Sequence, residues 1–199
     1  MFFSVTHNLW EFLNYGVVMK KVIIILCLFV LGGCSSLKVA KVDPKSGYFP
    51  SKTKATIVVN KPLDLDQRNS LILVANSEFQ ENQIKNINYF KEVITFEDLE
   101  AIIVKNDLGT KVPSIKDRIG INNAAKHYKP FLWFRFDTRG SGNDEYAQFI
   151  LTDPLTLEDY FITETHLDRI WSGVNDQSNW YPMYNSLIDY IKEHSKTYK

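Results

Sequence analysis

Cys34 follows Gly32 and Gly33 at the end of an apolar run, a setting that restricts its chemistry more than that of any other reactive side chain in the sequence. Cys27 lies inside the apolar run itself, and residues 35–199 carry no thiol. The folded part therefore has no disulfide framework, no cysteine-ligated zinc and no cysteine nucleophile. His127, His166 and His194 stand far apart and form no HExxH or similar ligand pattern, so no metal and no other cofactor is expected. Residues 139–143 (RGSGN) sit between two strand-like runs rather than before a helix. They lack both the lysine of a phosphate-binding loop and the GxSxG of a nucleophile elbow, and they read as a turn. The adjacent carboxylates Glu97 with Asp98 and Glu158 with Asp159 read as a helix start and a solvated turn.

Aromatic side chains gather late in the chain. Trp171, Trp180, Tyr181 and Tyr184 accompany Asp176 and Asn179 around the last loop and helix. Exposed aromatics among polar turn residues suit a protein partner or the faces of sugar rings. Trp171, Trp180 and Tyr181 are therefore the candidate partner-binding residues. Of these, Trp180 is expected at the surface, while Trp171 and Tyr184 are expected to close the core.

The element that would present Cys34 begins at Met19. There MKKVIIILCLFVLGGCSS sets Lys20 and Lys21 before an uninterrupted apolar run over residues 22–31, then the two glycines and the cysteine. This is the charged, apolar, small-residue order of an export signal. The run is about half the roughly 20 residues that cross a bilayer, which argues against a permanent transmembrane helix. Leu31-Gly32-Gly33-Cys34 resembles the lipobox of bacterial lipoproteins. The resemblance implies diacylglycerol on the Cys34 sulfur, cleavage between Gly33 and Cys34, and acylation of the new amino terminus by palmitate or a similar chain. In that family an aspartate after the cysteine favours the inner membrane. Ser35 and Ser36 thus imply the outer membrane, with the domain facing the periplasm. Residues 1–18 place Trp10, Glu11 and Phe12 ahead of the lysines and are read as a mis-assigned extension, with Met19 as the true start. Residues 19–33 are then the signal peptide.

Residues 35–54 hold five lysines, two prolines and a glycine without sustained apolar periodicity, so 34–54 reads as a lipidated tether. A single globular domain over 55–199 follows. Residues 55–60 (ATIVVN), 70–76 (SLILVAN) and 92–96 (EVITF) are short, partly β-branched runs of the kind that form buried strands. Helices are expected over 78–88 behind Ser77, from Thr95 and Asp98 to a stop at Gly109, and from Ser114 and Asp117 to before Pro130. Strands at 130–138, 145–153 and 159–168 are joined by turns short enough for antiparallel neighbours. A closing helix over 179–195 carries the stripe Tyr184, Leu187, Ile188 and Ile191. The fold class is α/β (α+β), a mixed sheet with antiparallel C-terminal strands and helices packed on it.

This order, with a helix running into the apolar strand over 122–136 and Asp153-Pro154 at a hairpin turn, resembles a group of periplasmic domains. They are related to the TolB amino-terminal domain and to the curli-channel and penicillin-binding-protein-activator lipoproteins. Leu157-Glu158 stands where those domains carry a glycine, and the resemblance transfers no functional residue.

Lysine plus arginine equals aspartate plus glutamate at 23 each, which gives no reason to expect a nucleic acid partner. Two uses of the domain stay open. One is a non-catalytic lipoprotein that binds an envelope protein or assists assembly of an envelope complex. The other is a lipid-tethered glycan-binding module or hydrolase acting on cell-wall material through Asp137, Asp144 or Glu145 beside the aromatic loop.

Overall fold

The computed structural model describes residues 38–167 and 175–198. The export segment, Cys34 and the short run 168–174 with Trp171 lie outside the described residues. Six strands, β1 (Thr56–Asn60), β2 (Ile72–Leu73), β3 (Val93–Ile94), β4 (Leu132–Arg139), β5 (Tyr146–Asp153) and β6 (Glu158–His166), form one sheet in the order β1, β6, β5, β4, β2, β3. Pairing is antiparallel from β1 through β4 and parallel from β4 through β3, the mixed sheet expected from the short late turns and the earlier helical crossovers.

Four α-helices pack on it: α1 (Glu78–Ile87), α2 (Phe96–Lys105), α3 (Arg118–His127) and α4 (Tyr181–His194). Each of the first three begins where a short polar side chain satisfies an orphan backbone amide. Ser77 accepts from the Gln80 amide and Asp117 from the Gly120 amide, while Thr95 and Asp98 form a reciprocal capping box. Helix α2 stops at Lys105, earlier than the expected Gly109. The Asn106 amide group donates to the Ile102 carbonyl, and Asp107 takes the left-handed conformation at φ 53° that a glycine would supply.

Apolar residues separate onto the two sheet faces. One face carries Ile72, Leu132, Phe134, Phe149, Leu151 and Phe161 beneath α1 and α4, with Phe134 and Tyr184 each within 5 Å of the Phe149 ring centroid. On the other face, Leu71, Leu73, Ile94 and Phe131 pack with Leu99 and Ile103 of α2 and Ile121, Ala124 and Ala125 of α3. This second layer covers only the β2, β3 and early β4 half of the sheet.

Residues 38–54 correct the tether reading, because they run across α4 and close the first core. Phe49, 2% exposed, lies between Tyr181 and Tyr184 with ring centroids 6.0 and 5.8 Å away. Its backbone amide donates to the Asn185 side chain at 2.8 Å, and its carbonyl accepts from the same side chain at 3.0 Å. Tyr48 donates to Asp189, the Lys52 amide to the Gln177 carbonyl, and the Thr53 hydroxyl to the Ser178 carbonyl. The sequence hid this because lysines and prolines set the average composition, while one buried aromatic and a row of backbone hydrogen bonds do the holding.

The β5–β6 turn follows expectation at Asp153-Pro154. Asp153 is buried, accepts from the Leu155 amide at 2.8 Å and pairs with Arg68 at 3.4 Å. Leu157 takes the left-handed conformation at φ 59°. Left-handed backbone costs a β-carbon-bearing residue about 1–2 kcal/mol that glycine does not incur, against a glycine entropy cost of roughly 0.5–1 kcal/mol. Leu157→Gly is expected to raise the melting temperature by about 2 °C. A lower melting temperature would mean that contacts of the half-buried leucine outweigh the strain.

Candidate functional site

The loop before α4 is built from asparagines. In the π-helical turn Asp176–Trp180, Asn175 caps the Ser178 amide, and Asn179 accepts from the Asn175 amide while donating to the His166 carbonyl, each at 2.9 Å. Thr165 of β6 donates to the Asn179 carbonyl at 3.2 Å, so the turn is pinned to the sheet. Trp180 is half-buried rather than exposed. Its ring stacks on Phe149 at 6.0 Å and tilts against Phe136 at 5.3 Å, and its indole nitrogen is buried without a hydrogen-bond partner. The aromatic offered to solvent here is Phe136, 40% exposed. Tyr181 differs more from its expected surface role. It is 4% exposed, stacks on Phe49, and donates its hydroxyl to the Lys38 carbonyl at 2.6 Å, so it anchors the strap.

A polar arrangement that the sequence reading missed covers the other half of the sheet. Along β4, Leu132, Phe134 and Phe136 face the first core, and Arg135, Asp137 and Arg139 alternate with them onto the opposite face. Neither helical core includes the residues they meet. Arg135 pairs with Asp159 at 3.0 Å and with Asp137 at 3.4 Å, and Thr152 donates to Asp159 at 2.6 Å. Arg118, at the start of α3, also reaches Asp159 at 3.8 Å. One register step along, Arg139 grips Glu164 in a bidentate pair, Gln148 donates to the same carboxylate at 2.8 Å, and the guanidinium lies 4.0 Å over the Tyr146 ring. Glu164 is 6% exposed and Arg139 50%. The Arg139 guanidinium holds the Glu164 carboxyl below the usual carboxylate range and is itself raised by it. The folded carboxyl is the stronger acid, so the pair stabilises the fold at neutral pH and that contribution is lost as pH falls below the carboxylate range.

These contacts restrict what the site can do. Its carboxylates are paired with and oriented by arginines, while Asp137 keeps a side chain 56% exposed at the edge of the array. The result is a pre-ordered pattern of donors and acceptors of the kind that reads a complementary surface. Asp144 lies in the short helical turn Gly142–Asp144, and Glu145 follows it immediately before β5. The RGSGN segment is the expected turn, with Gly140 at φ 78° where a β-carbon would fall 2.0 Å from the Asp144 carbonyl oxygen. His166 lies 2.6 Å from the Asn143 carbonyl and His194 3.1 Å from the Asn60 side chain. Among the described residues no three His, Cys, Asp or Glu side chains gather as metal ligands would.

No family model matches the chain, and no curated protein matches it. Two solved structures are similar to it. The LpoB C-terminal domain from Salmonella enterica shares 18% identity over 49% of this chain and 82% of that domain, with a TM-score of 0.32. The LpoB C-terminal domain from Escherichia coli shares 18% identity over 48% of this chain and 80% of that one, again with a TM-score of 0.32.

Proposed function

We propose that this chain is a lipoprotein of the bacterial cell envelope, held by lipid on Cys34 at the periplasmic side of the outer membrane, whose domain binds an envelope protein and does not itself catalyse. The observation that carries the reading is the run from Lys20 to Cys34: two lysines, an apolar stretch too short to span a bilayer, and Leu31-Gly32-Gly33-Cys34. The ion-pair array on the open sheet face supports the binding role. Ordered arginine and carboxylate side chains steer and register a partner, and they lose little freedom when it arrives.

The test is recovery of partners from envelopes solubilised in detergent, with wild-type chain and with Asp137→Lys. A stoichiometric protein retained by the wild type and reduced about tenfold by the substitution supports the role, whereas retention on purified peptidoglycan in place of any protein overturns it. Asp137 is exposed, so the reversal of charge should leave the melting temperature within about 2 °C of wild type.

A further inference from the structure

Among the described residues, strand β1 is an edge of the sheet and its one strand neighbour is β6. Natural edges are usually guarded by charge, by proline, by extreme shortness or by a bulge that twists the edge away, because their unpaired amides and carbonyls recruit other strands. The segment Thr56–Asn60 (TIVVN) has no charge and no proline, and Ile57 and Val58 are each 49% exposed. A register shift between Ile57 and Val59 puts one extra residue at Val58 without ending the strand.

What lies beyond this edge is a groove of about 470 Å³, within the roughly 300–1,000 Å³ of ligand-binding clefts. Its floor is one face of α4, where Pro182, Asn185, Ser186 and Asp189 recur at helical spacing. Tyr48 and Phe49 of the strap form the far wall, and Ile57 lines the near one. The groove is also polarised along β1. Lys54 lines it where the strand starts, while Asp189, which accepts from the Tyr48 hydroxyl, lines it further along α4 and Glu193 accepts a 2.9 Å hydrogen bond from Asn60 at the strand's end; Lys192 lies 4.0 Å over the Tyr48 ring on the strap side.

We propose that this groove takes an extended segment of a partner polypeptide, which pairs with β1 as a seventh strand, sets an apolar side chain against Ile57, and turns a basic side chain toward Asp189. The unpaired backbone edge calls for another backbone, and the acidic end selects the sign of the flanking charge. A second copy of the chain pairing β1 with β1 would instead give a dimer, which the test below reads out. From the preceding reading the proposal takes only that the partner is a polypeptide. Lipidation of Cys34 does not enter, so the test below and the anchoring test fail independently.

The probe is a phage-displayed library of random decapeptides, selected on the full chain in detergent. Enriched peptides are expected to alternate β-branched or aromatic residues and to carry lysine or arginine on one side. Ile57→Lys should weaken their binding at least tenfold, and Asp189→Lys should remove the preference for a basic residue. Both positions are exposed, and melting curves verify that each variant is folded. Three results overturn the proposal: no enrichment, enriched peptides that bind Ile57→Lys unchanged, or a wild-type dimer in sedimentation that Ile57→Lys dissociates. Should Ile57→Lys fail to fold, enriched peptides whose charge preference survives Asp189→Lys overturn it equally.

Discussion

Phe49→Ala is expected to lower the unfolding free energy by about 3–5 kcal/mol, a loss typical of truncating a buried phenylalanine. A domain with roughly 5–15 kcal/mol in hand would lose a large part of its stability through a residue that composition assigns to a linker. The cost is high because the ring is enclosed by Tyr181 and Tyr184, and because Asn185 clamps its backbone from both sides, which leaves the surroundings little freedom to collapse into the space. Val39→Ala, at a residue 47% exposed in the same strap, should change stability by less than about 0.5 kcal/mol. Removing residues 38–54 altogether uncovers the Tyr181 and Tyr184 rings and withdraws the partner from Asn185. Urea titration of the three variants and the wild type checks this. A chain starting at Ala55 that unfolds with the wild-type midpoint and slope would show that the strap rests on a domain complete without it.

The strap also marks where sequence reading stopped. Helix starts were legible because Ser77, Thr95 and Asp117 each act within three residues of themselves, and so were the β5–β6 turn at Asp153-Pro154 and the stripe on α4. Contacts between distant positions were not. Nothing near Phe49 in the sequence points to Asn185, 136 positions away, and nothing near Thr56 points to Glu164 as its neighbour in the sheet. The polar residues before Tyr181 suggest a loop that would expose it, yet those asparagines satisfy one another and leave the tyrosine beneath the strap. The open face was within reach. LWFRFDTR alternates apolar with charged residues along β4, and that period of two already separates Arg135, Asp137 and Arg139 from the core. What it could not supply is the partner of each charge, which depends on the register of β5 and β6.

Cys34→Ala is expected to abolish incorporation of labelled palmitate and to move the chain from the membrane fraction to the soluble one, while the melting of the domain stays unchanged. The sulfur is the atom to which a lipobox resemblance assigns the diacylglycerol, and no other thiol follows it in residues 35–199. Each buried methylene contributes about 0.8 kcal/mol of membrane affinity, so one acyl chain holds a protein only reversibly and two or more hold it firmly. Loss of the sulfur removes the diacylglycerol, and the acylated amino terminus that depends on it, in a single step. Cys27→Ala is the matched control: it changes a thiol inside the apolar run of the proposed signal, and it should leave both label and fractionation as in the wild type. Domain stability should be indifferent to either change, because the contacts that close the core among the described residues, such as the Lys38 carbonyl with the Tyr181 hydroxyl and the Ala40 amide with Gln83, involve no thiol. If the Cys34 variant still takes up label and sediments with membranes, the anchor lies elsewhere in the chain and the envelope role loses its main support. If Cys27→Ala alone abolishes the label, the lipid-bearing sulfur has been assigned to the wrong residue.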